Sequence, residues 1–241
     1  MKFSIITPSL NQGEFIKDCI ESVLSQNYNN FEHIIVDGGS TDNTINIIKN
    51  YSHLKLLTGS DSGPASAINR GFKVASGDIL AWLNCDDYYD SNVFEKILNV
   101  FKSNLNVKFV YGNLTFVNKE KKIVKRDKTK RFNFNSLINI SPDIRQPCSF
   151  YKKGLVEQVQ YLNENIKIVF DLDFFIKMSK ISEPYYIDEN LAFYRDHDST
   201  LTRDNIRKQG WEIYKVCRKY NAKLFTPVTR LILYRLIKGN L

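Results

Sequence analysis

Apolar positions in the first hundred residues switch repeatedly between two periods. Short continuous apolar runs at Lys2–Thr7, His33–Val36, Leu54–Thr58, Ile79–Leu83 and Val107–Tyr111 read as strands buried on both faces. Between them, apolar residues recur at helical spacing. Phe15, Ile16, Cys19, Ile20, Val23 and Leu24 form one such face, and Ile45, Ile47 and Ile48 a shorter one. Ala67, Ile68, Phe72 and Ala75 form a third, and Val93, Phe94, Ile97, Leu98 and Phe101 a fourth. Thr41 or Asp42 suits the N-cap of the second helix, and Gly63-Pro64 opens the third. This alternation predicts a doubly wound, mostly parallel α/β sheet with helices on both faces.

After residue 112 the pattern changes. Leu114–Val117 and Lys122–Lys125 read as a hairpin around the polar turn Asn118–Lys121. Cys148–Tyr151 and Leu191–Arg195 look like strands, Asp171–Lys180 is a helix, and the tail from about Asp204 is helical. With no repeat and no linker, residues 1–202 read as one domain of two functional halves, 1–111 and 112–202. Residues 203–241 form a helical extension.

Composition narrows the picture modestly. The 241 residues suffice for one large α/β domain, and 43% apolar with 25% charged residues is ordinary for a globular protein. The net charge of +8 gathers in Lys119–Arg131 and beyond Arg203. It suits an anionic partner, or simply a solvated lysine-rich face. Charge alone would support a nucleic-acid partner, and no motif joins it, so none is expected. Cys19, Cys85, Cys148 and Cys217 are far apart without metal-ligand spacing. They read as reduced thiols of a cytoplasmic protein, with Cys19 in the core. No secretory leader and no membrane-spanning run is legible.

Ligands of open α/β sheets bind at the carboxyl ends of the strands. Here those ends deliver Thr7-Pro8-Ser9, Asp37-Gly38-Gly39-Ser40, Ser60-Asp61-Ser62-Gly63 and Asn84-Cys85-Asp86-Asp87. Any one of these could be turn chemistry, but four in succession point to a site. Adjacent carboxylates on a strand end repel each other unless a cation sits beside them. Mg²⁺ or Mn²⁺ takes oxygen ligands and often bridges to phosphate. No GxGxxG, GxxxxGK[ST] or GxSxG is present, which excludes the common dinucleotide, P-loop and hydrolase signatures.

Together these segments resemble the family 2 inverting glycosyltransferases of GT-A fold. The likeness runs from residue 2 to about 202. It is carried by Ser4–Ser9 with Asn11, by His33–Thr44, by Ser60–Gly63 with Ala67–Gly71, and by Ala75–Leu80 leading into Leu83–Asp87. The resemblance makes 1–111 the nucleotide-sugar half and 112–202 the acceptor half. It assigns the metal to Asp87, with Asp86 as further ligand or as ribose or diphosphate contact. Asn84 stands where the family's first DXD acid would be and is expected near the nucleotide. Asp37 and Asp61 would hold base and ribose, with Thr7, Pro8 and Arg70 as further contacts.

Phe170–Lys177 is similar to the family's acceptor-side helix, which makes Asp171 the general base and leaves Asp173 as competitor. Tyr194-Arg195-Asp196-His197 with Ser199 resembles its YRxH segment, so His197 would complete the metal shell or contact the diphosphate. Gln146-Pro147 would border the acceptor. The implied reaction is a single displacement from a nucleoside-diphosphate sugar, a UDP-sugar by family frequency, to a hydroxyl of a glycan or lipid-linked acceptor. A sugar-phosphate nucleotidyltransferase is the nearest alternative, but Thr7–Gly13 lacks the basic residues it needs. A non-catalytic carbohydrate-binding protein is the other.

Pro227–Lys238 is a basic amphipathic segment. On a helix Val228, Ile232, Leu233, Leu236 and Ile237 face one way, and Arg230, Tyr234, Arg235 and Lys238 the other. Such a helix suits an anionic membrane surface, here the inner face of the cell membrane. It equally suits packing on the domain or an oligomer contact.

Overall fold

The computed structural model describes residues 1–142, 145–197 and 206–238, the last without the Lys238 side chain. Ser199 and the expected tail start at Asp204 lie outside the described residues.

The first half follows the alternating pattern. Strands β1 (Phe3–Ser9), β2 (Phe31–Asp37), β3 (Leu54–Thr58) and β4 (Ile79–Trp82) pair in parallel in the order β3-β2-β1-β4. Helices α1 (Ile16–Leu24), α2 (Thr44–Ile48), α3 (Pro64–Val74) and α4 (Val93–Ser103) connect or cover them. The second half is mixed. After β5 (Tyr88–Tyr89) come β6 (Phe109–Val117), β7 (Ile123–Asp127), β8 (Ser149–Lys152) and β9 (Tyr185–Arg195). β8 lies antiparallel between β4 and β6, while β9 pairs with β6 in parallel and with β5 antiparallel. Among the described residues β7 pairs only with β6. The remaining helices are α5 (Phe134–Asn139), α6 (Lys153–Gln158), α7 (Phe170–Ile181), α8 (Ile206–Lys219) and α9 (Pro227–Lys238).

Each face of the sheet carries its own core. On one, Phe72 of α3, Phe174 and Phe175 of α7, Ile213 of α8 and Ile232 of α9 pack around Trp82 and Phe109. On the other, Cys19 of α1 and Phe94 and Ile97 of α4 pack against Phe3 and Ile5. All four cysteines are buried and none forms a disulfide.

Several elements depart from the pattern. The fifth strand and the first arm of the expected hairpin are one strand, β6, which continues through Gly112-Asn113. A Cβ at Gly112 would lie 2.7 Å from the Glu189 carbonyl oxygen, so glycine here permits close approach of β9 rather than a break. The N-cap of α2 is Asn43. Asp42 instead accepts the Thr44 N–H at 3.0 Å and the Gly13 N–H at 3.0 Å, tying α2 to the loop after β1. The basic run is substantially paired: Lys119 meets Glu14 at 2.6 Å, and Lys121 meets Asp18 at 2.8 Å.

Close packing of α3 on β1 fixes the loop that carries Asp61. A Cβ at Gly71 would lie 2.5 Å from Ile6 Cγ2. Gly71→Ala should therefore destabilise the fold by about 1–3 kcal/mol through overpacking. The urea midpoint reports it, and an unchanged midpoint would mean that Ile6 turns aside freely.

Candidate active site

The loops after β1, β2, β3 and β4 open onto one cavity of about 1110 Å³. Pro8, Ser9, Gln12, Gly38, Asp61, Asn84, Asp86 and Asp171 are among the residues that line it. The sequence places these residues far apart, and the parallel topology gathers them because every β-to-α turn of a parallel sheet falls on the same edge.

Asp61 is held from behind. Arg70 donates to Asp61 Oδ2 at 2.8 Å and to the carbonyls of Thr58 and Gly59 at 2.8 and 3.2 Å. Arg70 thus braces the loop and is absent from the cavity lining. Among the described residues, Asp61 Oδ1 and Gln12 Oε1 are buried acceptors with no hydrogen-bond partner. Both residues line the cavity, so a ligand bearing N–H or O–H donors would satisfy them.

Two further expected nucleotide contacts are absent from the cavity lining. Thr7 is fully buried, its hydroxyl 2.9 Å from His33 Nε2 and 3.6 Å from Cys19 Sγ. Burial lowers the His33 pKa to about 3, so that contact is with a neutral imidazole. Asp37 is also buried and serves its own loop, accepting the N–H groups of Gly39 and Ser40 at 3.0 and 2.8 Å. The adjacent Pro8 and Gly38 supply the lining in their place.

The Asp86-Asp87 pair separates because successive side chains diverge. Asp86 lines the cavity, with Oδ2 at 3.1 Å from His197 Nε2. Asp87 is fully buried and accepts the Arg195 N–H at 3.1 Å. Burial, with the Asp86 charge beside it, pushes the Asp87 carboxyl well above the usual carboxylate range. Arg195 also donates through Nε to the Asp86 carbonyl at 3.0 Å and through Nη2 to Asp18 at 2.7 Å. These bonds sew the end of β9 onto the 86–87 turn and set His197 beside Asp86, against the Phe15 ring at 4.7 Å. Of the two acids expected at the metal, Asp86 lines the cavity and Asp87 is turned into the protein. Asn84 sits 3.4 Å from Asp87 Oδ2 and 3.5 Å from Gln146 Oε1, and Gln146 is anchored on the Trp82 carbonyl at 2.7 Å.

Among the described residues no cluster of three or more His, Cys, Asp or Glu side chains could hold a metal. The Asp86 carboxylate lines the cavity with the His197 imidazole against it, and this pair would fit a divalent cation that takes its remaining ligands from water or a bound phosphate.

Asp171 stands in the first turn of α7 at the cavity wall. Its Oδ1 accepts the Leu172 N–H at 2.8 Å. Burial raises its pKa to about 6, against hydrogen bonds that lower it. Asp173 points elsewhere: fully buried, it accepts from Lys219 Nζ and Tyr220 Oη, both at 2.9 Å. Two residues along a helix turn the side chain about 200°, so the two acids face different surroundings.

Part of the cavity lining is apolar. Leu114, Phe116, Ile213 and Leu231 contribute to it, the last two from α8 and α9, and Arg235 lines the cavity as well. Nothing in the helical pattern of the tail announced this contribution.

Comparisons with known proteins bear on the family and the fold. The model of the family described as Glycosyl transferase family 2 matches residues 4–160. The Escherichia coli UDP-Glc:alpha-D-GlcNAc-diphosphoundecaprenol beta-1,3-glucosyltransferase WfgD is 36% identical over 138 residues, 56% of this chain and 54% of that protein. An uncharacterized glycosyltransferase of Rickettsia typhi is 28% identical over 208 residues, 83% of this chain and 65% of the relative. The chain therefore spans less than two thirds of the length of these relatives. The structure of S. aureus TarS 1-349 with UDP superposes with TM-score 0.72 at 19% identity, covering 98% of this chain and 71% of that one. The mannosyltransferase PcManGT from Pyrobaculum calidifontis, with GDP-Man and Mn²⁺, gives TM-score 0.74 at 15% identity, covering 99% and 73%. These last two likenesses establish the GT-A fold.

Proposed function

The chain belongs to glycosyl transferase family 2 and is a glycosyltransferase, and we propose that its cavity moves a sugar from a nucleoside-diphosphate donor to a hydroxyl on a carrier-linked glycan, with inversion. One observation carries the reading: Asp61, with its unpartnered Oδ1, Asp86, with His197 against it, and Asp171 all line a single cavity. Family membership also disfavours the nucleotidyltransferase and the non-catalytic alternatives.

In this reading Asp61 Oδ1 and Gln12 Oε1 accept hydrogen bonds from the base or ribose of the nucleotide. Asp86 and His197 hold Mn²⁺ or Mg²⁺, which when bound neutralises charge on the diphosphate. Asp171 accepts the proton of the acceptor hydroxyl as that oxygen attacks the anomeric carbon. The bond from that carbon to the diphosphate oxygen breaks on the opposite face. With Asp171 acting as base and not as nucleophile, the reaction is one displacement, hence inversion.

The donor is a UDP-sugar by analogy with WfgD, whose name also records a diphosphoundecaprenol-linked acceptor. The apolar wall of Phe116, Ile213 and Leu231 suits such a carrier chain. In α9, Val228 and Ile232 are buried in the core, so the expected apolar face is divided. Leu233 and Ile237 remain exposed beside Arg230 and are the residues left for an anionic membrane surface. Among the described residues no helix is long and apolar enough to cross a membrane.

A thermal-shift screen of UDP-glucose, UDP-GlcNAc and GDP-mannose with and without Mn²⁺ tests the reading. At ligand near 100 Kd, stabilisation of about 2.7 kcal/mol is expected for the true donor. It should appear only with the cation. No shift with any nucleotide sugar under either condition would overturn it.

A further inference from the structure

The loop that leads into α7 is held by a carboxylate from another helix. Lys167, Ile168 and Val169 are the three residues before Phe170, where α7 begins, and all three backbone N–H groups donate to Glu212 of α8. The Lys167 N–H reaches Oε1 at 3.1 Å, and the Ile168 and Val169 N–H groups reach Oε2 at 2.8 and 3.1 Å. Just beyond them, Asp171 faces the cavity, and Ile168 and Val169 line the same wall. The Lys167 side chain donates to the Ser62 carbonyl at 3.3 Å, next to Asp61. The loop therefore links the start of α7 to the loop that carries Asp61. α8 grips α7 a second time through Lys219 and Tyr220 on Asp173.

We infer that Glu212 is a positioning residue for Asp171: its carboxylate fixes the 167–169 loop and so sets where the base stands in the cavity. The inference rests on the reading of Asp171 as base. Both residues lie beyond the 4–160 segment that the family model matches. The physical argument is one of hydrogen-bond supply. Three successive N–H groups converge on two oxygens, and an ionised carboxylate offers acceptors only. A glutamine in its place has one acceptor oxygen and presents an N–H₂ group to donors. At least one backbone N–H then loses its partner, and the loop gains freedom. Displacing a reacting group by about 1 Å can cost about 100-fold in rate, so such freedom would register in turnover.

The test compares Glu212→Gln and Glu212→Ala with the wild-type chain, using UDP release from the donor found by the nucleotide-sugar screen. The graded result expected is a fall in kcat of about 10-fold for Gln and about 100-fold for Ala, with donor KM within about twofold of wild type. Hydrogen exchange at the amides of 167–169 should accelerate in the same order. Faster exchange with unchanged kcat would overturn the inference. So would a kcat loss that merely tracks the unfolded fraction, with UDP affinity falling alongside. Should Glu212→Ala not fold, the near-isosteric Gln variant decides alone. The two readings fail differently. A wild-type chain that neither binds UDP nor turns over any donor refutes the function. A wild-type chain that turns over while Asp171→Asn does not leaves the Glu212 result bearing on positioning only.

Discussion

Asp171→Asn is expected to lower turnover by about 10²–10⁴-fold while leaving nucleotide affinity unchanged. The amide keeps the shape of the side chain and can still accept the Leu172 N–H. What it loses is the ability to take a proton. The pH profile supplies a second signature. Burial raises the Asp171 pKa to about 6. Below that pH the carboxyl holds a proton and cannot accept another, and above it the base is free. In the wild-type chain kcat/KM should therefore rise with pH through about 6, and the Asn variant should lack this limb. An Asp173→Asn variant is the control. Asp173 is tied to Lys219 and Tyr220, so its loss should appear in stability rather than in the pH limb. If Asp173→Asn abolishes turnover in a folded protein and Asp171→Asn does not, the base has been misassigned.

Asp86→Ala should remove the cation dependence of nucleotide binding and lower turnover by about 10³-fold, the order expected when several kcal/mol of charge stabilisation at the diphosphate are lost. Asp87→Asn should do far less. Its carbonyl can still accept the Arg195 N–H, so the end of β9 and His197 stay in place. Titration of UDP with and without Mn²⁺ separates the two. Retained cation dependence in Asp86→Ala, with loss in Asp87→Asn, would return the ligand role to Asp87.

The donor half was legible because its physics is local. Parallel strands covered on both faces are uniformly apolar, helices between them show a 3.6-residue period, and each strand end drops its polar residues at one edge. Asp61, Asp86 and Asp171 could be named on that basis together with a resemblance. Side-chain direction could not. Thr7 and Asp37 occupy expected positions in their segments, yet one hydroxyl turns inward to His33 and one carboxylate closes its own loop. Asp87 is turned from the cavity toward Arg195, distant in the chain, whose backbone N–H donates to it.

The acceptor half was harder for a different reason. Its strands are held by long-range antiparallel pairing, and Gly112 reads as a strand end in sequence although it marks a close approach to β9. Glu212 looks like one more polar residue on an amphipathic helix. Only the fold shows that α8 turns it onto three N–H groups ahead of the base.

A crystal of the chain soaked with UDP and Mn²⁺, with data collected at the manganese absorption edge, tests the central claim most directly. The account predicts one strong anomalous peak bounded by the Asp86 carboxylate and the His197 imidazole, with the diphosphate beside it and a nucleoside N–H or O–H on Asp61 Oδ1. UDP bound outside this cavity, or manganese held away from Asp86, would contradict it.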